Sequence, residues 1–122
     1  MASTVMIVDD SQMVRQQVER ALTGAGFATV EACDGADALA KLSSDLSLIV
    51  LDVNMPNMGG LEFLQTLRSR SEYSALPVVM LTTEGQPQLM KQAKELGAKG
   101  WIVKPFKPEL LLAAVKKLTH AV

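Results

Sequence analysis

A chain of 122 residues, 48% hydrophobic and 20% charged, has the size and composition of one globular domain with a substantial core. Twelve basic against thirteen acidic residues leave a net charge of -1, which predicts neither a nucleic-acid-binding nor a membrane-binding surface. The single cysteine, Cys33, excludes an internal disulfide; with no cationic leader and no apolar run approaching the ~20 residues that cross a bilayer, the expected location is the cytoplasm.

The first strand is Val5-Met6-Ile7-Val8, which runs straight into Asp9, Asp10 and Ser11. A continuous apolar run bounded by polar residues reads as a strand buried on both faces, and so as part of a parallel sheet covered by helices. Ser11 is placed to N-cap a helix whose apolar positions Val14, Val18, Ala21, Leu22 and Ala25 follow helical spacing, and Gly24 and Gly26 end it. Phe27 to Ala32 is the least apolar strand and is expected at a sheet edge, with Cys33 beyond it as a small buried hydrophobe. Asp34-Gly35 reads as a turn and Ala36 to Leu42 as a short helix with Leu39 and Leu42 inward.

The third strand, Leu46 to Leu51, leads into Asp52 and a loop that Pro56 and Gly59-Gly60 keep out of regular structure. Leu61, Leu64 and Leu67 mark the next helix. Pro77 to Leu81 is a fourth buried strand, ending in Thr82-Thr83-Glu84-Gly85. Pro87 suits a first helical turn, with Leu89, Ala93 and Leu96 as the apolar stripe and Gly97 as its end. Gly100 to Val103 is the fifth strand, followed by Lys104-Pro105-Phe106 and a helix from Pro108 to about Leu118.

Strands alternating with helices, without repeat or linker, describe a single α/β domain over residues 1–122: a doubly wound, five-stranded parallel sheet with five helices. Right-handed crossovers favour the flavodoxin-like order 2-1-3-4-5, which sets the first strand beside the third. Asp9, Asp10 and Asp52 then meet at the carboxyl edge of the sheet, with Thr82 and Lys104 ending the strands beyond. Three carboxylates that close repel unless a cation sits among them, and oxygen ligands suit a hard divalent ion, most simply Mg²⁺. The edge holds no histidine or cysteine for a zinc site or a Ser-His-Asp relay, because the only histidine, His120, lies in the C-terminal tail. Carboxylates, a metal ion, a lysine and a hydroxyl are what it takes to hold a phosphoryl group, and Asp52 is the chosen nucleophile because it ends a central strand beside the acid pair.

The chain resembles the receiver domains of two-component response regulators. The match rests on Asp9-Asp10, Asp52, Met55-Pro56 with Gly59-Gly60, Thr82, and Lys104-Pro105, five separated features in order over nearly the whole length. By length it is similar to the stand-alone chemotaxis type. The resemblance implies that Asp52 accepts a phosphoryl group from a histidine kinase. It also implies that Asp10, Asp52 and the backbone carbonyl of Asn54 hold Mg²⁺, with Asp9 acting mainly through water. Lys104 would contact the phosphate, Thr82 would move towards it, and the Lys104-Pro105 bond would be cis. Asn54 and Glu84 stand where relatives tune phosphoryl lifetime, and Trp101 stands at the aromatic switch position, usually Tyr or Phe. Thr83 departs from the usual small residue. Such a protein catalyses only its own phosphorylation and dephosphorylation and is not otherwise an enzyme.

The last helix adds an inference from its own residues. Leu110, Leu111 and Leu112 spread apolar surface over roughly 200° at about 100° per residue, more than one sheet face covers. Leu111, Val115 and Leu118 suit the core, leaving Leu110 and Ala114 outward near Trp101 and Met90, with Leu112 open to either side. That face, made by the fourth helix, fifth strand and fifth helix, is expected to bind a downstream protein or, weakly, a second copy of the chain. Three rival readings stay open: a receiver cut from a longer regulator, a flavodoxin-type FMN carrier and a haloacid-dehalogenase-type phosphatase. The second lacks a Ser/Thr/Gly-rich phosphate loop after the first strand. The third usually shows Asp-x-Asp where Asp52-Val53-Asn54 stands.

Overall fold

The computed structural model describes residues 3–53, 55, 58–83 and 87–119. Its elements alternate as expected: β1 (Thr4–Val8), α1 (Gln12–Gly24), β2 (Ala28–Ala32), α2 (Gly35–Ala40), β3 (Leu46–Asp52), α3 (Gly60–Ser69), β4 (Val78–Thr82), α4 (Pro87–Glu95), β5 (Gly100–Val103) and α5 (Pro108–Thr119). All strand pairs are parallel, in the order β2-β1-β3-β4-β5.

Alternation along each strand explains why the apolar runs are unbroken. Met6, Val8, Ile49, Leu51, Val78 and Met80 face one side, where Ala38 of α2, Phe63, Leu64 and Leu67 of α3 and Ala93 of α4 cover them. Val5, Ile7, Leu48, Val50, Val79 and Leu81 face the other, against Val18 and Leu22 of α1 and Leu111 and Val115 of α5. The central strands β1, β3 and β4 are buried from both sides, so their runs leave little room for polar residues. β2 lies at the edge and is only partly buried, in keeping with its weaker hydrophobicity.

Local chemistry sets the element ends. The Ser11 hydroxyl accepts the Val14 amide at 3.3 Å and starts α1, and Gly26 takes φ 95° just past its end, where a side chain would be strained. Asp34 and Gly35 form a helix start rather than a free turn: the Asp34 carboxylate accepts the Asp37 amide at 2.8 Å, so α2 begins at Gly35 and ends at Ala40, earlier than the expected Leu42. Leu39 and Leu42 nevertheless pack on the core. A 3-10 turn at Ser71–Tyr73, which no apolar period announces, links α3 to β4.

Cys33 corrects an expectation. It is exposed, because the chain leaves the sheet after Ala32 and the Cys33 amide turns to the Asp37 carboxylate, 3.0 Å away. Its neighbour Lys41 donates to the same carboxylate at 3.1 Å and to the Glu31 carbonyl at 2.7 Å, tying α2 to the edge strand. Leu112 is half-buried: it packs partly on the core between α1 and α5.

Candidate functional site

Parallel strands that end together bring the carboxyl edge residues into one place. β3 extends through Asp52, one residue beyond the expected strand, so this carboxylate is projected by a rigid ladder rather than by a loop. Asp9 follows β1, and its amide is fixed by the Ala32 carbonyl of β2 at 3.1 Å. Carboxylate oxygens of Asp9, Asp10 and Asp52 all lie within 4.8 Å of one another. Asp9 is fully buried, Asp52 is 2% exposed, and Asp10 faces solvent.

Lys104 reaches in from beyond β5 and joins the two buried acids. Its Nζ lies 2.8 Å from Asp9 Oδ2 and 3.1 Å from Asp52 Oδ1. Burial works against the ammonium, but the hydrogen bond to Asp9 and the charges of Asp9 and Asp52 outweigh it, so its pKa is raised above the ordinary lysine value. The Lys104-Pro105 bond is cis, and the Lys104 amide donates to the Thr82 carbonyl at 2.6 Å. Asp9 Oδ1 accepts the Ser11 amide at 2.9 Å. Thr82 is fully buried at the end of β4, whereas Thr83 beside it is exposed.

One cation for three converging carboxylates leaves net negative charge among hard oxygen donors, one of them open to solvent. That donor set fits a divalent cation of the Mg²⁺ or Ca²⁺ class and offers nothing to a soft metal. The start of α3 packs tightly against the end of β3. The Gly60 amide donates to the Val53 carbonyl at 3.0 Å, and a Cβ on Gly60 would clash with the Asp52 carbonyl and stand 2.9 Å from Val53 Cα. Only glycine lets α3 begin against the end of β3.

The other expected residues divide. Asn54 and Glu84, like His120, lie outside the described residues. Trp101 is half-buried against the α4 side of the sheet, with its indole Nε1 buried and without a hydrogen-bond partner among the described residues. Trp101 and Met90 border a groove of about 590 Å³ between α4 and β5, rimmed by Lys91, Lys94 and Lys99. Trp101 and Leu110 border a second groove towards α5. Leu110 is 61% and Met90 38% exposed; Ala114 is half-buried and lines neither groove.

Two arginines escaped the sequence reading. Arg15 of α1 donates through Nη1 to the Asp9 carbonyl at 2.6 Å and through Nε to Glu31 at 3.2 Å. Arg68 of α3 donates to four carbonyls, those of Leu96, Tyr73, Leu76 and Gly97, at 2.7 to 3.2 Å. Backbone acceptors leave no trace in a sequence, and an arginine on a helix reads by default as solvated.

Among the described residues no helix is long and apolar enough to cross a membrane. Residues 5–116 match the family model of the response regulator receiver domain. The chain is 36% identical over 110 residues to chemotaxis protein CheY1 of Helicobacter pylori, covering 88% of this chain and 89% of that one. It is 35% identical over 120 residues to chemotaxis protein CheY of Pseudomonas aeruginosa, covering 97% of each. The crystallised chemotaxis protein CheY4 of Vibrio cholerae superposes with a TM-score of 0.91 at 43% identity, over 97% of this chain and 99% of that one. A buried aspartate pair held by one lysine at the carboxyl edge of a 2-1-3-4-5 sheet is thus joined by a match over most of the sequence, and the chain belongs to the response regulator receiver family.

Proposed function

We propose that this chain is a single-domain, phosphorylation-controlled switch in a chemotaxis or motility pathway, the pathway being suggested by its chemotaxis relatives. The observation that carries the reading is the Lys104 ammonium held between Asp9 and Asp52 in a buried pocket. A cation already poised there needs only a small shift to meet an incoming phosphate oxygen. An Asp52 carboxylate oxygen attacks the phosphorus of a phosphohistidine on a kinase. The P–N bond breaks and its electron pair stays on the imidazole nitrogen. Lys104 shifts from the two acids towards the phosphoryl oxygens, and the Thr82 hydroxyl donates to another. Mg²⁺, held by Asp10, Asp52 and the Asn54 carbonyl with Asp9 nearby, would supply charge neutralisation of those oxygens. Water attack on the acyl phosphate returns the resting state, with Asn54 and Glu84 tuning its rate. Beyond this self-directed chemistry the protein is not an enzyme and works in the cytoplasm.

The output runs through the face that carries Trp101, Met90 and Leu110, with Ala114 beside it, and its occupant is a downstream protein. The FMN carrier and the phosphatase share parts of this architecture, but the first needs a Ser/Thr/Gly-rich phosphate loop where Asp9-Asp10 stands, and the second usually shows Asp-x-Asp where Asp52-Val53-Asn54 stands. Incubation with acetyl phosphate and Mg²⁺, followed by intact mass, tests the chemistry: wild type gains a phosphoryl adduct and Asp52→Asn does not. Equal labelling of both would refute it. For the face, Leu110→Glu should abolish capture of the partner by the beryllofluoride-treated protein while leaving phosphorylation intact; normal capture would refute that assignment.

A further inference from the structure

We infer that Arg15, braced by Glu31, is a positioning residue for Asp10. The inference rests on the reading of Asp10 as a metal ligand given above. Residue 9 is fixed at every polar atom: its amide by the Ala32 carbonyl at 3.1 Å, Oδ1 by the Ser11 amide at 2.9 Å, Oδ2 by Lys104 at 2.8 Å, and its carbonyl by Arg15 Nη1 at 2.6 Å. Residue 10 differs. Its carboxylate is exposed and, among the described residues, makes no hydrogen bond or ion pair of its own.

What aims Asp10 into the cluster is therefore its backbone. The amide joining residues 9 and 10 is planar, so the direction in which Asp10 leaves follows from the orientation of the Asp9 carbonyl. Arg15 grips that oxygen. Its own rotamer is fixed from the edge strand, since Nε donates to Glu31 Oε1 at 3.2 Å. Glu31 pairs in register with Ile7, on the sheet face that α1 covers. The arrangement needs the planar guanidinium fork, because a lysine ammonium on its single stem cannot point at both acceptors with the same fixed geometry. The Arg15 side chain is only 17% exposed against 40% for Glu31, so the brace lies outermost.

A simple staple between α1 and the end of β1 would show the same distances but would change stability alone. Titration of the full chain with Mg²⁺ by calorimetry separates the two. Arg15→Gln should weaken Mg²⁺ binding about tenfold, the low end of the loss seen when a ligand's hydrogen-bonded support is removed. Arg15→Lys should recover only part of it, and Glu31→Gln should give a smaller loss in the same direction. At saturating Mg²⁺, Arg15→Gln should again take phosphate from acetyl phosphate at close to the wild-type rate, since it touches no phosphoryl oxygen. Wild-type Mg²⁺ affinity in Arg15→Gln, whatever its melting temperature, would overturn the inference, as would uptake that stays slow at saturating Mg²⁺. If Arg15→Gln does not fold, Glu31→Gln decides by the same affinity. Asp10→Asn is the control. Should it bind Mg²⁺ as wild type does, the metal reading itself falls and takes this inference with it; should it lose binding while Arg15→Gln keeps it, only the role of Arg15 falls.

Discussion

Arg68→Met should unfold more easily than wild type by about 3 kcal/mol, because one half-buried guanidinium serves four backbone carbonyls from two separate segments. Two of the bonds are 2.7 Å, those to Leu96 and Leu76, and the bond to Gly97 is 3.2 Å. A hydrogen bond to a charged group contributes about 1.5–3 kcal/mol net when taken singly. Two effects reduce the sum. Water can re-solvate part of the freed carbonyls, and burial, which holds the Arg68 pKa below its ordinary value, is a cost that methionine avoids. About 3 kcal/mol remains, or about 10–12 °C in melting temperature for a domain of this size. Arg68→Lys should lose about 2 kcal/mol, since a point ammonium satisfies fewer of the four. Urea unfolding followed by circular dichroism would measure both, with the slope unchanged. If Arg68→Met lies within 1 kcal/mol of wild type, or Arg68→Lys matches wild type, the carbonyl accounting is wrong. The same side chain anchors the end of α4, the helix that carries Met90 of the proposed output face.

Mg²⁺ at a hundred times its dissociation constant should stabilise the fold by about 2.7 kcal/mol and raise the melting temperature by roughly 10 °C; the same rise in Asp10→Asn would refute the assignment of ligands. Gly60→Ala should cost about 2–3 kcal/mol and slow phosphate uptake, because the added methyl meets the backbone of Asp52 and Val53; wild-type unfolding and labelling would show that the contact relaxes freely. The stability difference between wild type and Lys104→Met should depend on pH. The folded pKa of Lys104 is raised, so its contribution is complete below the ordinary lysine value of 10.5 and fades as pH rises through the higher folded value. A difference that stayed constant through strong alkali would count against the ion pairs.

The fold was legible because the central strands are covered on both faces. Val5 to Val8 and Leu48 to Leu51 carry no polar residue, a pattern that few architectures other than a doubly wound sheet need. The acid cluster was legible for a related reason: carboxylates directly after such runs have nowhere to go but the sheet's edge. The less legible parts depend on side chains that answer to backbone. Asp34 reads as a turn residue and caps a helix, and Cys33 reads as a hydrophobe and sits outside the sheet, both decided by where α2 starts. Arg15 and Arg68 find carbonyls whose positions only the tertiary structure defines.

The salt bridge from Lys104 to Asp9 joins residues 95 positions apart. During synthesis Asp9 and Asp52 leave the ribosome well before the lysine that balances them. Until that lysine is made, bringing the carboxylates of Asp9 and Asp52 together sets like charges against each other. The ion pairs of Lys104 with Asp9 and Asp52 therefore close only once the residue after β5 has been made, so the pocket is among the last parts of the fold to be balanced.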